Sequence, residues 1–175
     1  LIRTAAAAKA ELALADGSII TIGERSAIVL NRNIISTKDK KNTSFGVLMG
    51  GMKLKVNKLT GADEFKVQTP TAVAAVRGTD FEVALASDGS TMVAVNEGKV
   101  NVAGDAGSSD VKRGESGAVV LGDEKTVKAG KSDSVSAFLG ERAAAAKKDP
   151  AGTIEKMENR SRALGDQGGS LLVKA

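Results

Sequence analysis

Carboxylates are the only plentiful side chains in this chain that could drive acid–base chemistry, and they are scattered: Asp63-Glu64, Asp80, Glu82, Asp88, Glu97, Asp105 and Asp110. A glycosidase needs two such groups at a set separation across a sugar ring. Sugar clefts and single-strand nucleic-acid platforms also stack their ligands on exposed rings. Here there are four Phe, no Tyr and no Trp. There is no His and no Cys, which removes the commonest general base, the commonest metal ligand and every thiolate site. No catalytic residue, metal ligand or cofactor is assigned, and the chain is read as non-enzymatic. Nucleic acid and small-molecule ligands are not expected. Asp105-Ala106-Gly107-Ser108-Ser109-Asp110 offers oxygen ligands for calcium, but it departs from the EF-hand pattern and reads as a solvated loop. Gly50-Gly51 is not followed by Gly-Lys-Ser/Thr and makes no phosphate loop.

What remains is chemistry of binding. Arg77 in Arg77-Gly78-Thr79 has a guanidinium that can grip a partner carboxylate with two parallel bonds. Its small, apolar neighbours favour the other reading, in which Arg77 ties its own turn or a neighbouring strand and Gly78 supplies unusual backbone angles. Net charge is +4, unevenly placed: residues 1–60 carry ten basic and four acidic side chains, the remainder fifteen and seventeen. The densest basic run, Lys38-Asp39-Lys40-Lys41, is a solvated loop in the plain reading and a partner surface in the functional one.

The elements that must position these groups are mostly strands. Hydrophobic content is 42%, and with so few rings the core must be aliphatic. Residues alternate apolar and polar at Lys9–Leu14, Met52–Asn57, Phe65–Gln68 and Thr79–Ala86, the period of half-buried strands. Ser18–Ile22, Ser26–Leu30, Phe45–Met49, Thr91–Asn96 and Lys99–Val102 read as further strands. Asp16-Gly17, Gly23-Glu24, Asp88-Gly89, Glu97-Gly98 and Gly122-Asp123 are turns, spaced as in a sandwich, roll or solenoid of short antiparallel strands. Thr37–Ser44 and Ala103–Ser109 read as loops, Gly50-Gly51 as a break, and Thr69-Pro70 as a strand edge. Val111-Lys112, Ala118–Leu121 and Lys125–Lys128 complete the strand pattern.

After residue 131 the pattern becomes helical. Ser132-Asp133-Ser134 supplies N-cap groups, and Val135, Phe138, Leu139, Arg142 and Ala146 share one face of a helix ending near Lys148, before Pro150. Thr153 is expected to cap a second helix, striped by Ile154, Met157 and Leu164 and ended by Gly165. Leu171-Leu172-Val173 is a short apolar end that could add one more strand. Two such helices bury too little to fold alone. They are expected to pack on the sheet or on a partner. Residues 1–130 form the β-domain in this reading, and 131–175 the helical tail. No apolar run approaches the roughly 18 residues that span a bilayer, and the chain is not expected to be transmembrane.

Thr69-Pro70-Thr71-Ala72-Val73-Ala74-Ala75-Val76-Arg77-Gly78-Thr79-Asp80-Phe81 is the most specific stretch. Together with Asp16-Gly17-Ser18, Ile22-Gly23, Ser26, Leu54, Val56, Phe65, Val67, Val95, Glu97-Gly98, Val100, Val102, Val111 and Gly114, it resembles the FecR domain family over roughly residues 9–121. The resemblance implies a mainly β domain of bacterial envelopes, usually periplasmic. Its best-known members pass a signal from an outer-membrane iron-siderophore transporter to a cytoplasmic sigma factor. This chain shows no sigma-binding helical region, membrane helix or transporter-binding domain of the family's usual kind, and the anti-sigma role is not carried over. The family usually has more strands before the first Asp-Gly-Ser turn, so the sheet is expected to be completed by residues before Leu1 or by another subunit.

The fold expected is therefore mainly β, a FecR-like sandwich or roll with a C-terminal helical tail. The function expected is a binding or assembly module of the bacterial envelope, periplasmic or at the cell surface. It would serve as a structural subunit or scaffold with protein partners, through self-assembly or a larger complex. The alternatives are a periplasmic signalling adaptor of the iron-siderophore type and an envelope-polysaccharide binder. Asp16, Gly17, Thr69, Pro70, Arg77, Gly78, Thr79, Phe81 and Gly98 are expected to build the fold. Lys38, Lys40, Lys41, Phe138, Leu139, Ile154, Met157 and Leu164 are candidates for the partner surface.

Overall fold

The computed structural model describes residues 1–31, 42–59, 63–105, 107–131 and 134–166. Among them thirteen strands form one continuous sheet: β1 (Ile2–Arg3), β2 (Ala10–Ala13), β3 (Ile19–Ile22), β4 (Ala27–Asn31), β5 (Asn42–Lys55), β6 (Glu64–Gln68), β7 (Val73–Val76), β8 (Asp80–Leu85), β9 (Thr91–Glu97), β10 (Lys99–Gly104), β11 (Gly107–Lys112), β12 (Glu115–Val120) and β13 (Asp123–Lys131). Two helices follow, α1 (Val135–Lys148) and α2 (Pro150–Asp166).

One long strand makes the sheet into a sandwich. The first half of β5 pairs with β4 and β6, its second half with β3 and β8. One layer thus runs β1-β4-β5-β6-β7-β10-β11 and the other β2-β3-β5-β8-β9-β12-β13. The expected break at Gly50-Gly51 is the bend where β5 changes layer. Gly50 has φ +74°, and a Cβ there would come within 2.8 Å of the Ser26 Cα. Ser26 pins the bend: its hydroxyl donates to the Glu24 carbonyl and accepts from the Gly51 N–H at 3.1 Å.

Alternation built these strands. Phe65 and Val67 of β6 point inward between half-buried Glu64, Lys66 and Gln68, and Phe81, Val83 and Leu85 of β8 do the same. The core is aliphatic, as composition required, with Phe45 and Phe65 stacked at 5.6 Å in its middle. Each such side chain contributes about 1.5–3 kcal/mol by leaving water.

The structure corrects several expectations. Residues 42–44, expected in a loop, are strand because they pair in parallel with Glu64–Lys66, an exception to an otherwise antiparallel pattern. Most of the stretch expected as a loop at 103–109 is strand: β10 and β11 pair antiparallel, with Val102 opposite Ser109 and Gly104 opposite Gly107. Gly107 and Ser108 are exposed, while Ser109 and Asp110 are half-buried. The second helix is capped by Asp149, whose carboxylate accepts the Gly152 N–H at 3.0 Å. Pro150 therefore takes the first helical position, where its missing N–H is harmless, and Thr153 lies in the first turn. The first helix ends at Lys148 as expected, with Ser134 as its N-cap. Gly165 lies inside α2, which runs to Asp166. Ile34-Ile35, Ser132-Asp133 and Leu171–Val173 lie outside the described residues.

Candidate protein-binding surfaces

The signature residues build turns. At Asp16-Gly17-Ser18 the Asp16 carboxylate accepts both the N–H and the hydroxyl of Ser18, each at 2.9 Å. The fully buried Ser18 hydroxyl in turn accepts the Asn57 N–H at 3.0 Å. Gly17 has φ +81°, a conformation Gly adopts at no steric cost. Thr79 exchanges two backbone hydrogen bonds with Val56, and its hydroxyl donates to the Lys99 carbonyl at 3.0 Å. A Cβ on Gly78 would lie 2.7 Å from the Lys58 Cα, and one on Gly98 would lie 3.1 Å from the Gly78 carbonyl. Thr69 orders its own turn around Pro70 and meets Thr91, which also meets Thr71, both at 2.7 Å. This threonine trio ties the β6–β7 corner to β9. Phe81 is fully buried.

Arg77 is the exception. It was expected to tie its turn, yet it is exposed and makes no hydrogen bond or ion pair among the described residues. The turn is held by the backbone of Thr79 and by Gly78 instead, which leaves the guanidinium to solvent. It stands at the rim of a shallow trough on the outer face of β6, β7, β10 and β11.

Neither end of the Asp105–Asp110 segment faces a vacant cation site. Asp110 accepts Lys99 and Asn101, each at 2.9 Å, and these bonds hold its carboxyl below the ordinary carboxylate value. Asp105 pairs with Arg160. Among the described residues no three metal-capable side chains come together.

The tail helices close one end of the sandwich. On α1 the expected face is the half-buried one: Val135, Phe138, Leu139, Arg142 and Ala146. This helix lies against β8 and β9, with Arg142 3.7 Å from Asp88. On α2 the face toward the sandwich carries Thr153 and Arg160. The Arg160 side chain, 14% exposed, donates from Nε to the Pro70 carbonyl at 2.6 Å and pairs with Asp105; burial lowers its pKa. Ile154 and Met157 remain 57% and 44% exposed, with Met157 beside the Gly89 turn. The side chain of Leu164 and the whole of Lys38, Lys40 and Lys41 lie outside the described residues. The pins of the tail, Asp88, Asp105, Pro70 and Arg160, were not singled out as tail contacts. They are distant in sequence, and no local periodicity marks such pairs.

These features define a β-sandwich module with hydrogen-bonded turns at Asp16–Ser18, Thr69–Thr71 and Thr79, and with Arg77 left on an outer face. The family model described as FecR protein matches residues 1–101, and the chain belongs to that family. Two crystal structures of a candidate anti-sigma factor from Parabacteroides distasonis ATCC 8503 share the fold. One has a TM-score of 0.64 at 21% identity, over 79% of this chain and 63% of that one. The other has a TM-score of 0.62 at 21% identity, over 74% and 59%. This chain thus spans about three fifths of the length of those proteins. No curated protein matches the sequence significantly. No helix among the described residues is long and apolar enough to cross a membrane.

Proposed function

We propose that this chain is a non-enzymatic, protein-binding module of the bacterial cell envelope, acting in the periplasm as a signalling adaptor of the FecR type. The observation that carries the reading is the family match over residues 1–101, joined by the fold shared with a candidate anti-sigma factor. The structural-subunit role expected from the sequence gains no specific support from either, and the polysaccharide-binding role gains none. Residues 1–175 span only part of the proteins they resemble, so segments beyond them do not weigh against the proposal. Asp16, Asp88, Asp105 and Asp110 are each engaged with a turn or an ion pair, which agrees with a binding role.

Deleting the gene and measuring transcripts tests this. A signalling adaptor changes transcription of a defined gene set, restored by the intact chain, and fractionation finds the chain in the envelope. Unchanged transcription together with a missing envelope assembly would replace it with the scaffold reading.

A further inference from the structure

The trough beside Arg77 carries a charge arrangement that a solvated surface does not require. Its floor is Ala75, set between Lys66 and Asn101 on the adjoining strands. At its rim Lys99 stands directly opposite Lys112. Arg77 follows Val76, which opposes Val100, and so sits next to Lys99. Arg77, Lys99 and Lys112, all exposed, thus form a row of three cations across three adjacent strands. Like charges directly opposite one another destabilise a sheet. Asp110 compensates Lys99 at 2.9 Å, and Glu64 engages Lys66 at 2.9 Å. Neither Arg77 nor Lys112 has a carboxylate within ion-pair distance among the described residues; Lys112 shares the longer-range field of Asp110 with Lys99.

We propose that this row is a docking surface for an acidic helical segment of a protein partner, with Arg77 clamping a carboxylate through its two-pronged guanidinium. Strands lie about 4.8 Å apart, and one helical turn rises about 5.4 Å. Carboxylates on successive turns therefore meet successive cations of the row. The small floor at Ala75 admits the helix face. Asp110 and Glu64, interspersed among the cations, disfavour a uniformly anionic membrane and suit a ligand with discrete charges. The proposal rests on the protein-binding reading above and names the chemistry of the partner.

The test uses the full chain and a labelled synthetic helix with glutamates at i, i+4 and i+7, titrated at low salt by fluorescence anisotropy. Saturable binding is expected, weakened about tenfold or more by R77E/K112E, less by R77K, and further by added salt. Lys53 is exposed on the other layer, 3.9 Å from Asp80, and K53E should bind as the parent does. Melting curves confirm that each variant folds. Equal affinity for the parent and R77E/K112E would overturn the proposal, as would equal weakening by K53E. So would binding to phosphatidylglycerol vesicles, abolished by R77E/K112E, with none to the peptide. A native partner held by R77E/K112E but lost on changing Ile154 and Met157 would remove this surface while leaving the protein-binding reading intact.

Discussion

Two Asp-Gly-Ser turns stand at opposite ends of one layer and are built alike. In the first, the Leu14 N–H donates to the Ser18 carbonyl; in the second, the Ala86 N–H donates to the Ser90 carbonyl. Gly17 and Gly89 have φ +81° and +85°. Ser18 accepts the Asn57 N–H and Ser90 the Leu121 N–H, each at 3.0 Å. Their surroundings differ. Asp16 is exposed, whereas Asp88 is buried and faces Arg142 of α1. One sequence motif thus closes the sheet twice, and what lies on it is decided by residues far along the chain.

Breaking the shared architecture should give the largest effect. Gly78→Ala, at the bare end, forces a side chain into φ +92° against the Lys58 backbone. It should cost about 3 kcal/mol by combining left-handed strain with overpacking, read as a fall in denaturation midpoint. Next, Ser18→Ala and Ser90→Ala each leave a backbone N–H without its acceptor and should cost about 1–3 kcal/mol. They sharpen the comparison, because only Ser90→Ala should also speed hydrogen exchange in α1 and α2. Accelerated exchange in the tail of Ser18→Ala would mean that the two ends are coupled.

Arg160→Ala should loosen the tail by about 2 kcal/mol, since it removes charge-assisted bonds to Pro70 and Asp105. Proteolysis within α2 should rise while the sandwich keeps its melting temperature. A matching fall in both would show that tail and sheet unfold as one.

Acid gives the smallest effect. Asp110 is held below its ordinary value by Asn101 and Lys99. Its folded pKa is depressed, so its contribution is present above about pH 4 and fades as pH falls below that, through the folded value. Because it is fully exposed, Asp110→Asn should leave stability at neutral pH nearly unchanged and flatten only the acid limb of the stability curve.

The sheet was legible because alternation and turn residues are local signals. Phe65, Val67, Phe81 and Val83 point inward as their spacing required. The face of α1 was legible for the same reason, through its helical period. The layer change at Gly50 was not, since a break and a bend look alike until Ser26, far back in the chain, is seen to fill the space. The docking of α2 was not legible, because it is polar and runs through Arg160, which no apolar period marks, while Ile154 and Met157 keep that period and stay exposed. Arg77 was misjudged because its apolar neighbours are buried and it is not: side chains alternate across a strand, so buried Val76 leaves Arg77 facing out.

The most direct measurement is photo-cross-linking in living cells, with a reactive side chain placed in turn at position 75, in the trough beside Arg77, and at position 53, on the outer face of the other layer. A protein-binding module that uses the trough should yield one discrete partner polypeptide through position 75, lost on adding R77E/K112E, and none through position 53. Capture of the same partner through position 53 alone, or no protein adduct from either position, would contradict it.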